Sequence, residues 1–306
     1  MTTRTYGIGL YAPAGFVVEP EAIARAIGRL EAAGHRVVVD PTVTTRWQRF
    51  SAPDTERLAA VTRMTEDPRV ELAIAVRGGY GWSRLLDRLD FASIAAANKR
   101  WLGHSDFTAF QLAALAAGRM VTFAGPLAAY DFGAATPSEF TLQHCWGLLG
   151  SAEYVVEFVL AGPPELAAEG TLWGGNLSML THLIGTPYLP RVDGGILFVE
   201  DVGEHPYRIE RMLYQLHHAG ILGRQRALLL GEFNGYPPSA NDNGYDMAAM
   251  VDQCRRAFGL PVFTGLPFGH RRDKLTLPVG ARCTLSVRGG DARLTLSGYG
   301  DTKPTP

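Results

Sequence analysis

The chain has 306 residues, 46% hydrophobic and 19% charged, with a formal net charge of −1, which suffices for one large or two ordinary cores. A near-neutral balance with no long basic run argues against nucleic acid and anionic membrane as partners. Three scattered cysteines (Cys145, Cys254, Cys283) show no zinc spacing and no disulfide framework, the apolar run at the N-terminus is too short and too Gly/Pro-broken for a signal peptide, and no run approaches membrane-spanning length, so a cytoplasmic protein is expected.

Taken in chain order, the first half alternates two kinds of segment. Residues 6–11 are apolar and Gly-rich. Residues 21–33 carry Ile23, Ile27 and Leu30 on one helical face, with Gly34 where a C-cap would sit. "RVVVD" and "ELAIAV" are short apolar runs, the second closed by "RGGYG". "SRLLDRLD" and "FASIAAAN" read as helix. "RWLGHS" is a fourth run, followed by a helix to about residue 117, and "MVTFAG" is a fifth. This rhythm predicts an α/β domain with a mostly parallel sheet.

"LAGPPELAAEG" has two prolines and little periodicity. We divide the chain there: an N-terminal α/β domain at 1–160, a linker at 161–172 and a C-terminal domain at 173–306. The second half contains two apolar strand candidates, "GGILFVE" and "RALLLGEF". Between them lies a helix with Pro206 near its start, Gly220 past its end, and Ile209, Met212, Leu213 and Leu216 on one face. "DMAAMVDQCRRAF" reads as a further helix. "KLTLPVGARCTLSVRGGDARLTLSG" alternates around Gly-rich turns and predicts antiparallel hairpins. "DTKPTP" reads as a frayed tail.

Four stretches could carry chemistry. Ser105 in "GHSDF" follows a predicted strand and opens a helix. It is either an N-cap, a role open to Asp106 as well, or a nucleophile on a sharp turn. In the second case the Asp106 backbone N–H is placed to hold an oxyanion, although residue 107 is Phe where the G-x-S-x-G form has glycine. "RGGYGWS" presents backbone N–H groups after a strand; it offers a second oxyanion donor at Gly79, or only a tight turn. Glu200 and Asp201 end an apolar run and point to opposite faces if the strand persists; either could orient a histidine, or cap the next helix. His270 follows a Pro/Gly loop, where catalytic residues often sit. The adjacent His217 and His218 suit the C-terminal end of a helix. "GIGLYA" with Asp40 resembles a dinucleotide fingerprint, but Pro13 and Gly15 interrupt where the phosphate-binding helix must open. No cofactor and no metal are expected.

Together, "RGGYG", "GHSDFTAF", "LWGGNLSML", "LFVEDVGEHPYRIERML" and "GLPFGH", in this order across nearly the whole chain, resemble the LD-carboxypeptidase family of serine peptidases. That family includes murein tetrapeptide LD-carboxypeptidases and microcin C self-immunity peptidases. The resemblance implies a flavodoxin-like N-terminal domain, a β-rich C-terminal domain and a homodimer. It also implies a Ser-His-Glu triad, carried over to Ser105, His270 and Glu200, with oxyanion donors at the backbone of Gly79 and Asp106. The resemblance chooses Glu200 over Asp201. It further implies a muropeptide substrate, cut between an L-centre of diaminopimelate and D-Ala. Trp173 and Asn176 either line the substrate cleft or serve as core and helix cap. Arg77 meets a substrate carboxylate or pairs with a neighbour. The alternatives are a microcin C-type amidase and a non-catalytic ligand-binding protein on the same scaffold.

Overall fold

The computed structural model describes residues 4–300; the 301–306 tail lies outside them. In the first half, β1 (Gly7–Tyr11), α1 (Pro20–Ala32), β2 (Arg36–Val39), α2 (Asp54–Glu66), β3 (Leu72–Ala75), α3 (Phe91–Ala96), β4 (Arg100–Gly103), α4 (Phe107–Gly118) and β5 (Thr122–Ala124) follow one another. Strands β1, β3, β4 and β5 are buried at every position, as strands covered by helices on both faces must be. They pair in parallel in the order β2-β1-β3-β4-β5, the flavodoxin-like doubly wound order. Its ligand crevice lies outside the carboxyl ends of the strands, and the turns after β3 and β4 carry "RGGYG" and Ser105.

The chain continues through α5 (Glu139–Leu149), β6 (Glu153–Val159), β7 (Glu165–Asn176), α6 (Leu177–His182), β8 (Ile196–Val202), α7 (Pro206–His218), β9 (Ala227–Asn234), α8 (Met247–Ala257), β10 (Val262–Thr264), β11 (Leu277–Val279), β12 (Arg282–Arg288) and β13 (Asp291–Ser297). The second sheet runs β10-β9-β8-β7-β12-β13-β6. Strands β7 to β10 are parallel neighbours, and β7, β12, β13 and β6 are antiparallel. Helix α7 buries Ile209, Met212, Leu213 and Leu216, with His217 and His218 in its last turn. Buried apolar residues of both sheets form one continuous core. No helix among the described residues is long and apolar enough to cross a membrane.

Several expectations are corrected. Residues 165–172, expected to link two domains, belong to β7. The first half of that strand pairs with β12 and the second with β8; its run of alanines and glycines hides the period-two alternation. Nor does the chain divide cleanly there. Strand β6, before the supposed linker, is the edge of the second sheet, and β11, well after it, pairs antiparallel with β5 of the first. "SRLLDRLD" forms two short 3₁₀ turns instead of a helix. Asp90 then caps α3 by accepting the Ser93 N–H. After "GIGLYA" the chain loops to Pro20 before α1 opens, and the Asp40 carboxylate is taken by Thr42 and Arg63.

Candidate active site

Ser105 stands on the turn between β4 and α4 with φ +66°, a left-handed conformation that side chains other than glycine's rarely adopt. Close packing holds this turn. A Cβ on Gly103 would lie 2.5 Å from the Phe107 ring, and a Cβ on Gly78 would lie 2.9 Å from the Ser105 Cβ. The aromatic residue at 107 is therefore accommodated by a glycine on the strand side of the elbow. No side chain caps α4; the N–H groups of Phe107, Thr108 and Ala109 donate instead to the carbonyls of His104, Ser105 and Asp106 within the same turn.

The Ser105 hydroxyl instead faces His270 Nε2 at 3.1 Å, and His270 Nδ1 faces Glu200 Oε2 at 2.7 Å. His270 is held from both halves of the molecule. Its carbonyl accepts from Asn234 Nδ2 at 2.8 Å. The residues that follow it are tied to the first half: Lys274 Nζ lies 2.7 Å from Asp131 Oδ1, and the Ser138 hydroxyl donates to Asp273 at 2.6 Å.

Glu200 is fully buried on β8, at an irregularity in the β8–β9 register between Val199 and Asp201. Such bulges re-aim side chains next to functional sites. Simple alternation would send Glu200 and Asp201 to opposite faces. Here both carboxylates accept from Asn176 Nδ2, at 3.2 Å and 2.9 Å, while only Glu200 reaches His270. Asp201 is engaged behind it, accepting the Ser178 N–H and hydroxyl. Asn176 also caps α6 through its Oδ1, which accepts the Met179 N–H. It thus braces Glu200 and does not line the cleft. Trp173 does not line it either: it is buried in the core, its indole N–H donating to Gln225 at 2.8 Å.

The serine opens onto a cleft of about 630 Å³ whose walls include Gly78, Gly79, Tyr130 and the cations Arg77, Arg271, Arg272 and Lys274. Lys274 is neutralised by Asp131, and Arg271 pairs with Glu232 at 3.5 Å. Arg77 donates to the Phe16 carbonyl and lies over the Phe16 and Tyr130 rings. Among the described residues, neither Arg77 nor Arg272 pairs with a carboxylate, so the cleft favours an anionic ligand.

His104 is a neighbour that sequence reasoning did not single out. It is buried, its Nε2 4.0 Å from Glu200 Oε2 and its ring centroid 4.7 Å from that of His270. Burial, then the charges of Lys274 and His270, hold its pKa well below the ordinary histidine value. It therefore stays neutral and does not compete for the Glu200 charge. His104, Glu200 and His270 also bring their donor atoms within 4.8 Å of one another. Two histidines and a carboxylate can ligate a transition metal. Here Glu200 Oε2 and His270 Nδ1 lie 2.7 Å apart, a hydrogen-bond separation and closer than the ligands of a tetrahedral ion, which at about 2.0–2.1 Å bond lengths stand about 3.3 Å from one another.

The arrangement can do acyl-transfer chemistry. It sets a strained serine against a histidine oriented by a buried carboxylate, with the 78–79 glycine turn packed beside it.

The model of the LD-carboxypeptidase N-terminal domain matches residues 8–125, and that of the LD-carboxypeptidase C-terminal domain matches residues 169–285. A probable murein peptide carboxypeptidase of Bacillus subtilis is 30% identical over 92% of this chain and 88% of its own. The crystal structure of a muramoyltetrapeptide carboxypeptidase from Oxalobacter formigenes superposes with a TM-score of 0.91 at 46% identity, covering 97% of this chain and 99% of the other. The microcin C7 self-immunity protein of Escherichia coli is 24% identical over 78% of each chain.

Proposed function

Because the chain belongs to the LD-carboxypeptidase family and is a peptidase, we propose that it is a serine-type carboxypeptidase that releases the terminal D-alanine from murein tetrapeptides. The observation that carries this reading is the unbroken Ser105–His270–Glu200 hydrogen-bond chain at the floor of a cationic cleft. Ser105 Oγ attacks the carbonyl of the L-configured penultimate residue while His270 Nε2 takes its proton. Glu200 accepts the Nδ1–H bond, fixes that tautomer and stabilises the imidazolium. Backbone N–H groups of Gly79 and Asp106 hold the oxyanion. Collapse breaks the amide bond, and His270 gives its proton to the leaving D-alanine amine. Water, deprotonated by the same histidine, then releases the acyl group from Ser105.

Carboxypeptidase action needs a partner for the free carboxylate of the leaving residue, and Arg77 supplies one in this reading. The rest of the proposal is a cytoplasmic homodimer acting in peptidoglycan recycling. It rests on the family resemblance, and sedimentation of the purified protein as a monomer would refute the dimer.

The test compares one muropeptide ending in D-Ala with the same peptide ending in L-Ala and with its C-terminal amide. Only the first should be cleaved efficiently. An inverted Cα puts either the methyl or the carboxylate in the wrong place, and an unpaired polar group can cost several orders of magnitude in kcat/KM. Comparable rates on all three would leave a general amidase. Cleavage of a nucleotide-linked amide with none of the tetrapeptide would move the chain to the microcin branch. Binding without turnover would leave a ligand-binding protein.

A further inference from the structure

The side chain of Asp106 points away from the helix that it begins. It makes no cap for α4. Its Oδ2 accepts the Trp82 backbone N–H at 2.9 Å. Oδ1 is buried without a partner. The carboxyl is 3% exposed, and burial pushes its pKa up to about 7. A plain surface cap would have neither property.

Arg57 grips the same turn from the other side. It is completely buried, and its Nη1 donates to the carbonyls of Pro13 at 2.5 Å and Gly81 at 3.0 Å. A third tie comes from Gly15, whose N–H donates to the Gly78 carbonyl at 3.2 Å. The turn is tight as well as tied, since a Cβ on Gly81 would fall 2.7 Å from the Ala14 Cα. Residues 78–82 are thus pinned on three sides. One of the pins is the residue next in chain to the serine.

We propose that Asp106 is a positioning residue: its side chain locks the 78–82 turn to the first turn of α4, so that the Gly79 and Asp106 N–H groups converge beside Ser105 Oγ. This rests on the serine acyl-transfer reading above. One residue then serves the oxyanion twice, offering its own N–H and, through its carboxyl, setting the position of the other donor. The buried carboxyl is retained at a cost in stability for that geometry. Losing the lock affects the oxyanion more than the bound substrate, so kcat falls and KM changes little. Complete loss of one oxyanion donor costs about 10²–10³-fold in kcat; a donor displaced but still present costs less, about 10–100-fold. Asparagine keeps an oxygen that can accept the Trp82 N–H, whereas alanine and leucine do not.

The experiment measures kcat, KM and melting temperature on murein tetrapeptide for wild type, Ser105→Ala, Asp106→Ala, Asp106→Leu and Asp106→Asn. Leucine is near-isosteric and removes a buried titrating group, which keeps the comparison open if the alanine variant folds poorly. The expected result is a 10–100-fold lower kcat for the folded leucine or alanine variant, KM within about threefold of wild type, and recovery of most of the activity in Asp106→Asn. A folded leucine variant with wild-type kcat, a change confined to KM, or an asparagine variant as impaired as leucine would overturn the proposal. Turnover by Ser105→Ala would instead overturn the serine reading on which it rests.

Discussion

Glu200→Gln should abolish most turnover, and the hydrogen bonds around it say why. Glutamine can offer His270 Nδ1 either its oxygen or its amide nitrogen. The choice falls to Asn176, whose Nδ2 donates to the other Glu200 oxygen at 3.2 Å. Asn176 is not free to turn, because its Oδ1 accepts the Met179 N–H and its Nδ2 also donates to Asp201 Oδ1 at 2.9 Å. The glutamine oxygen must therefore face Asn176 and its nitrogen His270. That nitrogen donates to Nδ1, moves the imidazole proton to Nε2, and leaves no lone pair to take the Ser105 proton. A wrong-tautomer triad loses about 10⁴-fold in kcat, or roughly 5.5 kcal/mol of transition-state stabilisation. Asp201→Asn disturbs only the support of Asn176 and should cost about tenfold, in the range seen when an outer-shell hydrogen-bond partner is lost. The assay is D-alanine release from murein tetrapeptide under saturating substrate, with circular dichroism to confirm folding. Equal impairment of the two variants, or a reversed ranking, would refute the assignment of Glu200 as the residue that orients His270.

Three further outcomes are expected. Lys274→Met leaves Asp131 buried and unpaired, so it should destabilise by about 3–5 kcal/mol in denaturant unfolding, with Asp131→Asn in the same chain recovering part of the loss; no recovery would mean that the pair is not coupled. Asp106 should make stability fall with rising pH. Its folded pKa of about 7 lies above the ordinary 3.8, so below about pH 4 both states hold the proton and nothing is lost. Between there and pH 7 the unfolded chain releases it first, which costs stability. Asp106→Asn should therefore gain on the order of 2–3 kcal/mol more over wild type at pH 8 than at pH 5, and equal gains at the two pH values would contradict the buried-carboxyl account. Incubation with EDTA should leave D-alanine release unchanged; its loss would count against a serine mechanism.

Much of this site was legible because the elbow is local. An apolar run, a Gly-x-Ser turn and an Ala/Leu-rich helix lie within about twenty residues, and strand-end placement follows from the α/β rhythm. What escaped depends on distant parts of the chain. Periodicity alone separates Glu200 from Asp201, but no local pattern announces the bulge that lets both reach Asn176; the choice of Glu200 came from family resemblance. Trp173 sits three residues before Asn176 on the same strand, and only the tertiary structure shows its indole turned to Gln225. Arg57 lies on a helix of low hydrophobic contrast, where a charge ordinarily reads as solvated, yet it is completely buried. The three-residue strand β11 is too short to register as a strand and is defined by its pairing with β5 far back in the chain. His104 stands beside Ser105 in "GHSDF", but no local pattern marks it, because its importance lies in contacts with Glu200 and His270 from the other half.

The most direct measurement is the rate of D-alanine release from murein tetrapeptide by purified wild type and by Ser105→Ala. The hydroxyl carries little of the core, so the variant should fold and melt as wild type does while turnover drops by about 10³-fold or more, the scale expected for removing the nucleophile of a triad. A folded Ser105→Ala protein that still releases D-alanine at the wild-type rate would remove Ser105 from the mechanism, and with it the serine-peptidase account of this cleft.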